Sequence, residues 1–374
     1  GRFMFCALAP MLYNVGIIIG TVWFTGGVNL FGWQIFDGGI MGVALGVVLG
    51  SFLQLIVSAV GLAGLGFDYN FKIYWRNKGF RKVLSLLPAR SVDQGMDYVV
   101  SLVEVNLASR LADGTVRAYQ QALTLHMMPI NLIGVAISNA AFPQLTEHLG
   151  EGRNDLFQKD LRSLLRIIFW MALPVSVVIF FTRGYVVHFI RNGGNQLIAG
   201  ILGCLVVAIL FRTIYHMAAR AFYARQDTKT PLYISIFSIT LNIILAIVLS
   251  MVLKMGAYGL AWAQSTVAVL EVVVLLAVMN RQMPKLFDMT FVRAIFKMMI
   301  AGTITGVVCY IAVLIMPFRY HDDSFFSAFP KFAIISLVSF GAYAAASKWL
   351  KLPEIDPILA RLKKVLFGRL EFKG

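Results

Sequence analysis

The sequence predicts an all-α polytopic membrane protein of about ten transmembrane helices, part of a two-lobe transporter fold. Three observations carry that expectation. The 374 residues are 59% hydrophobic and only 14% charged, with a mean hydropathy of +0.78, more apolar surface than one soluble core hides. The apolar stretches run far beyond the ~10 residues of a barrel strand and lack its alternation, so helices must satisfy the backbone. The net charge of +15 sits at helix ends and in alternate loops, which suits membrane-surface anchoring and argues against a nucleic-acid partner.

The predicted helices, lettered a to j, span residues 4–24, 39–64, 88–110, 118–142, 161–182, 197–221, 231–253, 256–279, 293–316 and 329–349. Most are joined by short loops, so consecutive helices are antiparallel neighbours. The loops after b, d, f, h and j hold the basic residues, for example Lys72, Arg76, Lys78, Arg81 and Lys82 after b, and Arg281 and Lys285 after h. The loops after a, c, e, g and i are poor in Lys and Arg. The positive-inside rule then places the even loops and both termini in the cytoplasm. Residues 144–160, with Gln144, Glu147, Asp155 and Lys159, read as a separate polar cytoplasmic helix. Residues 185–190 read as a short apolar segment on the outer side. The tail from Pro353 alternates Leu, Ile and Phe with Arg361, Lys363, Lys364 and Arg369, the pattern of a basic amphipathic helix on the anionic inner leaflet. Cys6, Cys204 and Cys309 lie far apart within apolar runs, with neither metal spacing nor a disulfide framework.

Helix c carries an ionisable stripe. Arg90, Asp93, Asp97, Ser101 and Glu104 fall within about 80° of arc at 100° per residue. A charge near the bilayer centre costs at least ~2.5–3.5 kcal/mol, so the stripe faces protein or a water-filled cavity. It is either a structural network of Arg90 with Asp93 and Asp97, or a cavity lining tied to ion coupling or gating. Helix d presents Arg117, Gln120, Gln121, Thr124 and Asn131 along another face, suited to sugar and phosphate oxygens or to a polar helix seam. Helix f carries Arg212 and His216 one turn apart, with Arg220 at its cytoplasmic end. Arg212 lies deep enough to need a partner and is the leading residue for an anionic headgroup, while Arg220 reads as a snorkelling end residue. Glu271, mid-helix in h with Gln264 seven residues earlier on nearly the same face, either binds Na⁺ or a proton or pairs with Arg212. The Asp227-Thr228-Lys229-Thr230-Pro231 turn reads as the capped entry to helix g.

An internal repeat relates helices a–b to g–h. Gly42-Val43-Ala44 followed by Leu53-Gln54 aligns with Gly259-Leu260-Ala261 followed by Leu270-Glu271, and Pro10 and Tyr13 align with Pro231 and Tyr233. A six-helix unit in parallel topology follows. Residues 1–66 are then the last two helices of an N-terminal lobe, 67–285 a six-helix C-terminal lobe, 286–350 two additional helices, and 351–374 the basic tail. Four helices are expected before Gly1.

Three stretches carry a family resemblance. They are Asn106-Leu107-Ala108-Ser109-Arg110-Leu111 leading through Gly114 and Tyr119, then Pro129-Ile130-Asn131-Leu132-Ile133-Gly134-Val135-Ala136-Ile137-Ser138 ending at Phe142-Pro143-Gln144-Leu145, and Ala221-Phe222-Tyr223-Ala224-Arg225-Gln226-Asp227-Thr228-Lys229-Thr230-Pro231. On these the chain resembles the MurJ/MviN family of lipid II flippases, within the multidrug/oligosaccharidyl-lipid/polysaccharide exporter superfamily. The resemblance implies alternating-access movement of an undecaprenyl-linked peptidoglycan precursor across the inner membrane, in cell-wall biogenesis and cell shape, rather than catalysis. It implies a cationic cavity for the pyrophosphate and a lipid-tail groove to which helices i and j contribute. No cofactor is expected, only coupling to Na⁺, H⁺ or the membrane potential. The implied partners are the lipid-linked anionic substrate, membrane lipids and other cell-wall synthesis proteins. One family arginine in helix d falls at Thr124 here, which leaves open the cargo or the way its phosphates are held.

Other readings fit part of the pattern. The same helices suit an exporter of another lipid-linked oligosaccharide or a cation-coupled drug exporter. A polyprenyl-phosphate-dependent glycosyltransferase would need an acidic pair at a membrane face, and Asp322-Asp323 is the candidate. A non-transporting scaffold is the remaining alternative. The charge pattern yields a direct test of orientation. In a cysteine-free full-length protein, single cysteines replacing Thr25, Asn195 and Ser324 react with an impermeant thiol reagent in intact cells, whereas labelling of one replacing Lys78 overturns the topology.

Overall fold

Eight helices of the computed structural model have the length and hydropathy of a membrane span, and Leu8–Phe24 and Tyr98–Ser109 are shorter apolar helices. Together they stand where the ten predicted helices lie. The structure describes residues 3–30, 33–36, 38–62, 75, 77–190, 195–284, 286–317 and 325–356, with backbone alone at 3–7, 28–30, 33–36, 62, 82–83, 85–97, 190 and 325. The helices are α1 (Phe3–Ile19), α2 (Ile40–Leu62), α3 (Lys78–Ser109), α4 (Thr115–Pro129), α5 (Ala136–Gly150), α6 (Asn154–Ile190), α7 (Gln196–Ala224), α8 (Lys229–Ile247), α9 (Ala257–Gln282), α10 (Met289–Ile315) and α11 (Phe325–Trp349). The chain divides into two compact units, Gly1–Lys82 and Val83–Gly374.

In the first unit α1 and α2 meet backbone to backbone. Gly42, Gly46 and Gly50 recur every four residues on α2, opposite Gly16 and Gly20 of α1. A Cβ added to Gly46 would stand 2.6 Å from the Gly20 Cα, and one on Gly16 would stand 2.3 Å from the Gly50 Cα. Lipid supplies no hydrophobic drive between helices, so this close approach is what holds the pair. Within the connection Val28–Leu30 and Trp33–Phe36 pair as an antiparallel hairpin, whose ladder satisfies backbone groups that no helix covers.

The second unit is built around α7, which packs on α4, α5, α6 and α9; α8 packs on α9, and α10 and α11 pack on each other and on α6. Two expectations are corrected here. Residues 144–160 are not a separate helix. α5 continues to Gly150 and α6 begins at Asn154, with buried Leu145, Phe157 and Leu161 joining them in one core. The break needs only a tight turn, which Gly152 supplies at φ +72° while the Arg153 and Gly152 N–H groups donate to the His148 and Leu149 carbonyls. Residues 185–190 are likewise the last turns of α6 rather than a separate segment, and Tyr185 Oη donates to the Met316 carbonyl at 2.5 Å. At 37 residues α6 is roughly 55 Å long, well beyond the ~30 Å hydrocarbon core. Asp322, Asp323 and the tail beyond residue 356 lie outside the described residues.

The α7–α8 turn follows the same terminating geometry with glutamine in the left-handed position, Gln226 at φ +61°. Asp227 then accepts from the Thr230 N–H at 3.0 Å and the Thr230 hydroxyl at 2.7 Å, capping α8. Desolvation would raise the Asp227 carboxyl, but these bonds, with Gln282 and the Lys229 N–H, hold it below the usual carboxylate range.

One packing motif occurs in both units. α1 ends in the π-helical turn Gly20–Phe24 and α8 in the π-helical turn Val248–Val252. The third residue of the following helix is glycine in each case. A Cβ on Gly42 would lie 2.4 Å from the Phe24 carbonyl carbon, and one on Gly259 would lie 2.6 Å from that of Leu249. In both units the glycine meets the backbone of the preceding helix's π-helical end, at the last residue of the turn in the first unit and at the second in the other. Replacing Gly46 by Leu in the full-length protein forces α1 and α2 apart, at a cost of about 1–3 kcal/mol or more. The expected result is a lowered melting temperature in detergent. Gly26→Ala, where an added Cβ meets nothing within 4 Å, is the control that leaves it unchanged.

Candidate functional site

The site is assembled around the middle of α7. A π-helical turn, Ile130–Val135, follows Pro129 between α4 and α5. Proline removes a ladder donor, and the chain accommodates this by widening one turn. Gly134 within it approaches α7 so closely that a Cβ would stand 2.9 Å from the Thr213 carbonyl oxygen, next to Arg212. Small residues at this crossing bring α4 onto the polar part of α7.

Arg212 is half-buried, and its Nε is buried without a hydrogen-bond partner. Among the described residues no carboxylate lies within ion-pair distance of it. Glu104 of α3, Tyr119 and His126 of α4, and His216 one turn along α7 all lie within its electrostatic reach. Glu104 is 2% exposed, and both its oxygens accept from the Gln264 Nε2 of α9, at 3.0 and 2.9 Å. The fully buried Tyr119 ring stands beside that carboxyl. His126 Nδ1 donates to the Leu123 carbonyl at 2.7 Å, so in the neutral ring the buried Nε2 carries a lone pair and has no partner. The cluster offers one guanidinium flanked by histidine, phenol and carboxyl groups. It can receive an oxyanion at Arg212 while Glu104 offsets part of the positive charge.

The structure sorts the sequence candidates by face. It gathers Arg212, His216, Glu104 and Gln264. Ser101, counted with Glu104 in one stripe, is exposed where Glu104 is buried. The side chains of Arg90, Asp93 and Asp97 lie outside the described residues. Helix α4 divides its polar residues. Thr115, Ala118, Tyr119, Ala122, Leu125 and His126 form the buried face, whereas Arg117, Gln120 and Thr124 lie on the exposed one, and Asn131 is exposed in the π-helical turn that follows. Thr124 turns its hydroxyl back to the Gln120 carbonyl at 2.9 Å. Gln121 is half-buried, with its Oε1 enclosed and unpartnered. Glu271 is buried two turns beyond Gln264 on α9. Arg220 lies with its guanidinium 5.7 Å over the Phe142 ring. Sequence reasoning missed Tyr119 and His126, although their seven-residue spacing on the apolar face of α4 signals a shared buried position.

A charged cluster buried among membrane-length helices marks a functional site in a polytopic helical membrane protein. The profile of the family described as "Lipid II flippase MurJ" matches residues 1–329, and the chain belongs to that family. It is 25% identical to the "Probable lipid II flippase MurJ" of Borreliella burgdorferi over 269 residues, 70% of this chain and 51% of that protein. With the "Probable lipid II flippase MurJ" of Thermotoga maritima it shares 25% identity over 366 residues, 96% of this chain and 68% of that one. A solved structure, "Lipid II flippase MurJ, inward closed conformation", has the same fold, with a TM-score of 0.67 and 24% identity over 91% of this chain and 66% of that chain. The chain thus spans from about half to about two-thirds of the length of these relatives.

The Glu104–Gln264 contact is testable through stability. Gln264→Leu keeps the volume but strands a buried carboxyl, costing about 1–3 kcal/mol. Glu104→Gln retains an amide-to-amide bond and loses less. Equal melting temperatures for the two variants would sink the pairing.

Proposed function

We propose that this chain belongs to a flippase that carries an undecaprenyl-linked peptidoglycan precursor across the inner membrane by alternating access. The family match over residues 1–329 supports the reading. The observation that carries it to a site is Arg212, midway along a membrane-spanning helix, with no carboxylate in ion-pair contact among the described residues. In this reading Arg212 receives the anionic headgroup, with His216, Gln121 and Arg90 around its sugar and phosphate oxygens, while Arg117 and Thr124, on the other face of α4, serve the substrate outside this cluster. Glu104, Glu271, Asp93 and Asp97 serve ion coupling or gating. Residues 1–66 are the last two helices of one lobe, 67–285 the other lobe, 286–350 the added pair, and both termini are cytoplasmic. Other cell-wall synthesis proteins are its partners.

A second cargo is favoured by one feature. Thr124 bonds back to its own helix and offers no charge. An exporter of another lipid-linked oligosaccharide is therefore the rival reading.

The test uses the full-length protein in cells depleted of their own flippase. Restored growth supports the reading, and its absence despite normal insertion favours the rival. Within the working protein, Arg212→Ala removes a charge-assisted bond worth about 1.5–3 kcal/mol, so flipping falls roughly 10- to 100-fold with normal expression. Unchanged flipping would remove Arg212 from the site.

A further inference from the structure

The α10–α11 pair is attached to α6 by contacts that recur every three or four residues along one stripe. At the end where α10 starts and α11 finishes, Arg162 pairs with Asp288 at 2.7 Å and Arg166, one turn on, pairs with Glu354 at 2.5 Å. Asp288 also caps α10, accepting from the Phe291 N–H at 2.9 Å and the Thr290 hydroxyl at 2.7 Å. Glu354 lies beyond α11 in a segment that folds back, with Leu352 and Ile355 each 2% exposed in the main core. A third turn along α6, Trp170 Nε1 donates to the Ser347 hydroxyl at 3.0 Å, both residues buried.

The stripe continues to the far end. A Cβ on Gly302 would meet Leu173 at 2.8 Å, and the Phe181 and Tyr310 rings are 5.9 Å apart. The Tyr185 hydroxyl closes the series on the α10 C-terminus. Lys297 Nζ donates to the Leu350 carbonyl at 3.0 Å, binding the two helices to each other where the ion pairs sit. Both carboxylates reach α6 at the open end of the hairpin, Asp288 from the start of α10 and Glu354 from just beyond α11, so sliding either helix along α6 breaks its ion pair.

We infer that α10 and α11 are clamped to α6 as one rigid wall and travel with it through the transport cycle, so opening takes place at other faces of this unit. The inference rests on the transport reading above. It is a device of positioning: none of these residues is placed in the binding cluster.

Two measurements on the full-length, cysteine-free protein test it. Leu173→Cys with Gly302→Cys is oxidised to a disulfide across the α6–α10 contact. Flipping after oxidation is expected to stay within about twofold of the reduced sample. Loss of flipping on oxidation, restored by reductant, overturns the rigid wall. The second measurement is independent of transport. Glu354→Arg is expected to lower the melting temperature by several degrees, and Arg166→Glu combined with Glu354→Arg to recover most of that loss. Absence of recovery overturns the clasp. If the unmodified protein flips nothing, the transport reading fails, while the melting cycle still decides whether the clasp exists.

Discussion

Hydrocarbon offers neither hydrogen bonds nor counter-charge, and the arrangement of the second unit follows from that constraint. A carboxyl group at 2% exposure persists only if the protein supplies its partners. Gln264 supplies one from 160 residues away along the chain. Arg212 meets the same demand differently. Its surroundings hold histidine, phenol and carboxyl within electrostatic reach, yet no carboxylate in contact among the described residues, so its charge is balanced at a distance and its donors are available. Gly134 is part of the same solution, because only close backbone approach brings α4 near enough for Tyr119 and His126 to share that space.

The membrane also explains which surfaces need nothing. Large apolar side chains such as Phe52, Phe237, Phe296 and Leu337 are exposed, a liability in water and the ordinary state in lipid. Helix–helix adhesion must then come from shape. The two units solve this with different residues, glycine rows between α1 and α2, and mixed polar and aromatic steps between α6 and the α10–α11 pair.

Legibility from sequence tracked the range of the interaction. Long apolar runs fixed the spans, since length and hydropathy are local properties; the capped turn at Asp227 was readable for the same reason. Gly42 and Gly259, aligned by sequence, each meet the backbone of a preceding π-helical end, at different residues of that turn. Helix ends beyond the hydrocarbon were misjudged. The polar residues 144–160 look like an independent helix, whereas Leu145, Phe157 and Leu161 form a continuous buried seam whose partners are visible only in three dimensions. The ion pairs of Arg162 and Arg166 were invisible because Asp288 and Glu354 lie more than a hundred residues away. Two arginines one turn apart in a helix resemble a snorkelling end until their acids are located.

The π-helical turn between α4 and α5 has an evolutionary consequence. It holds one residue more than an α-helical turn needs, so α5 on its far side is rotated by about 100° relative to an uninterrupted ladder. A lineage that loses one residue inside such a turn can revert to α geometry and keep every downstream side chain on its partner. The same loss elsewhere in the helix swings the whole remainder off its contacts. Length differences among relatives should therefore collect within Ile130–Val135, where the surplus residue works as an expansion joint.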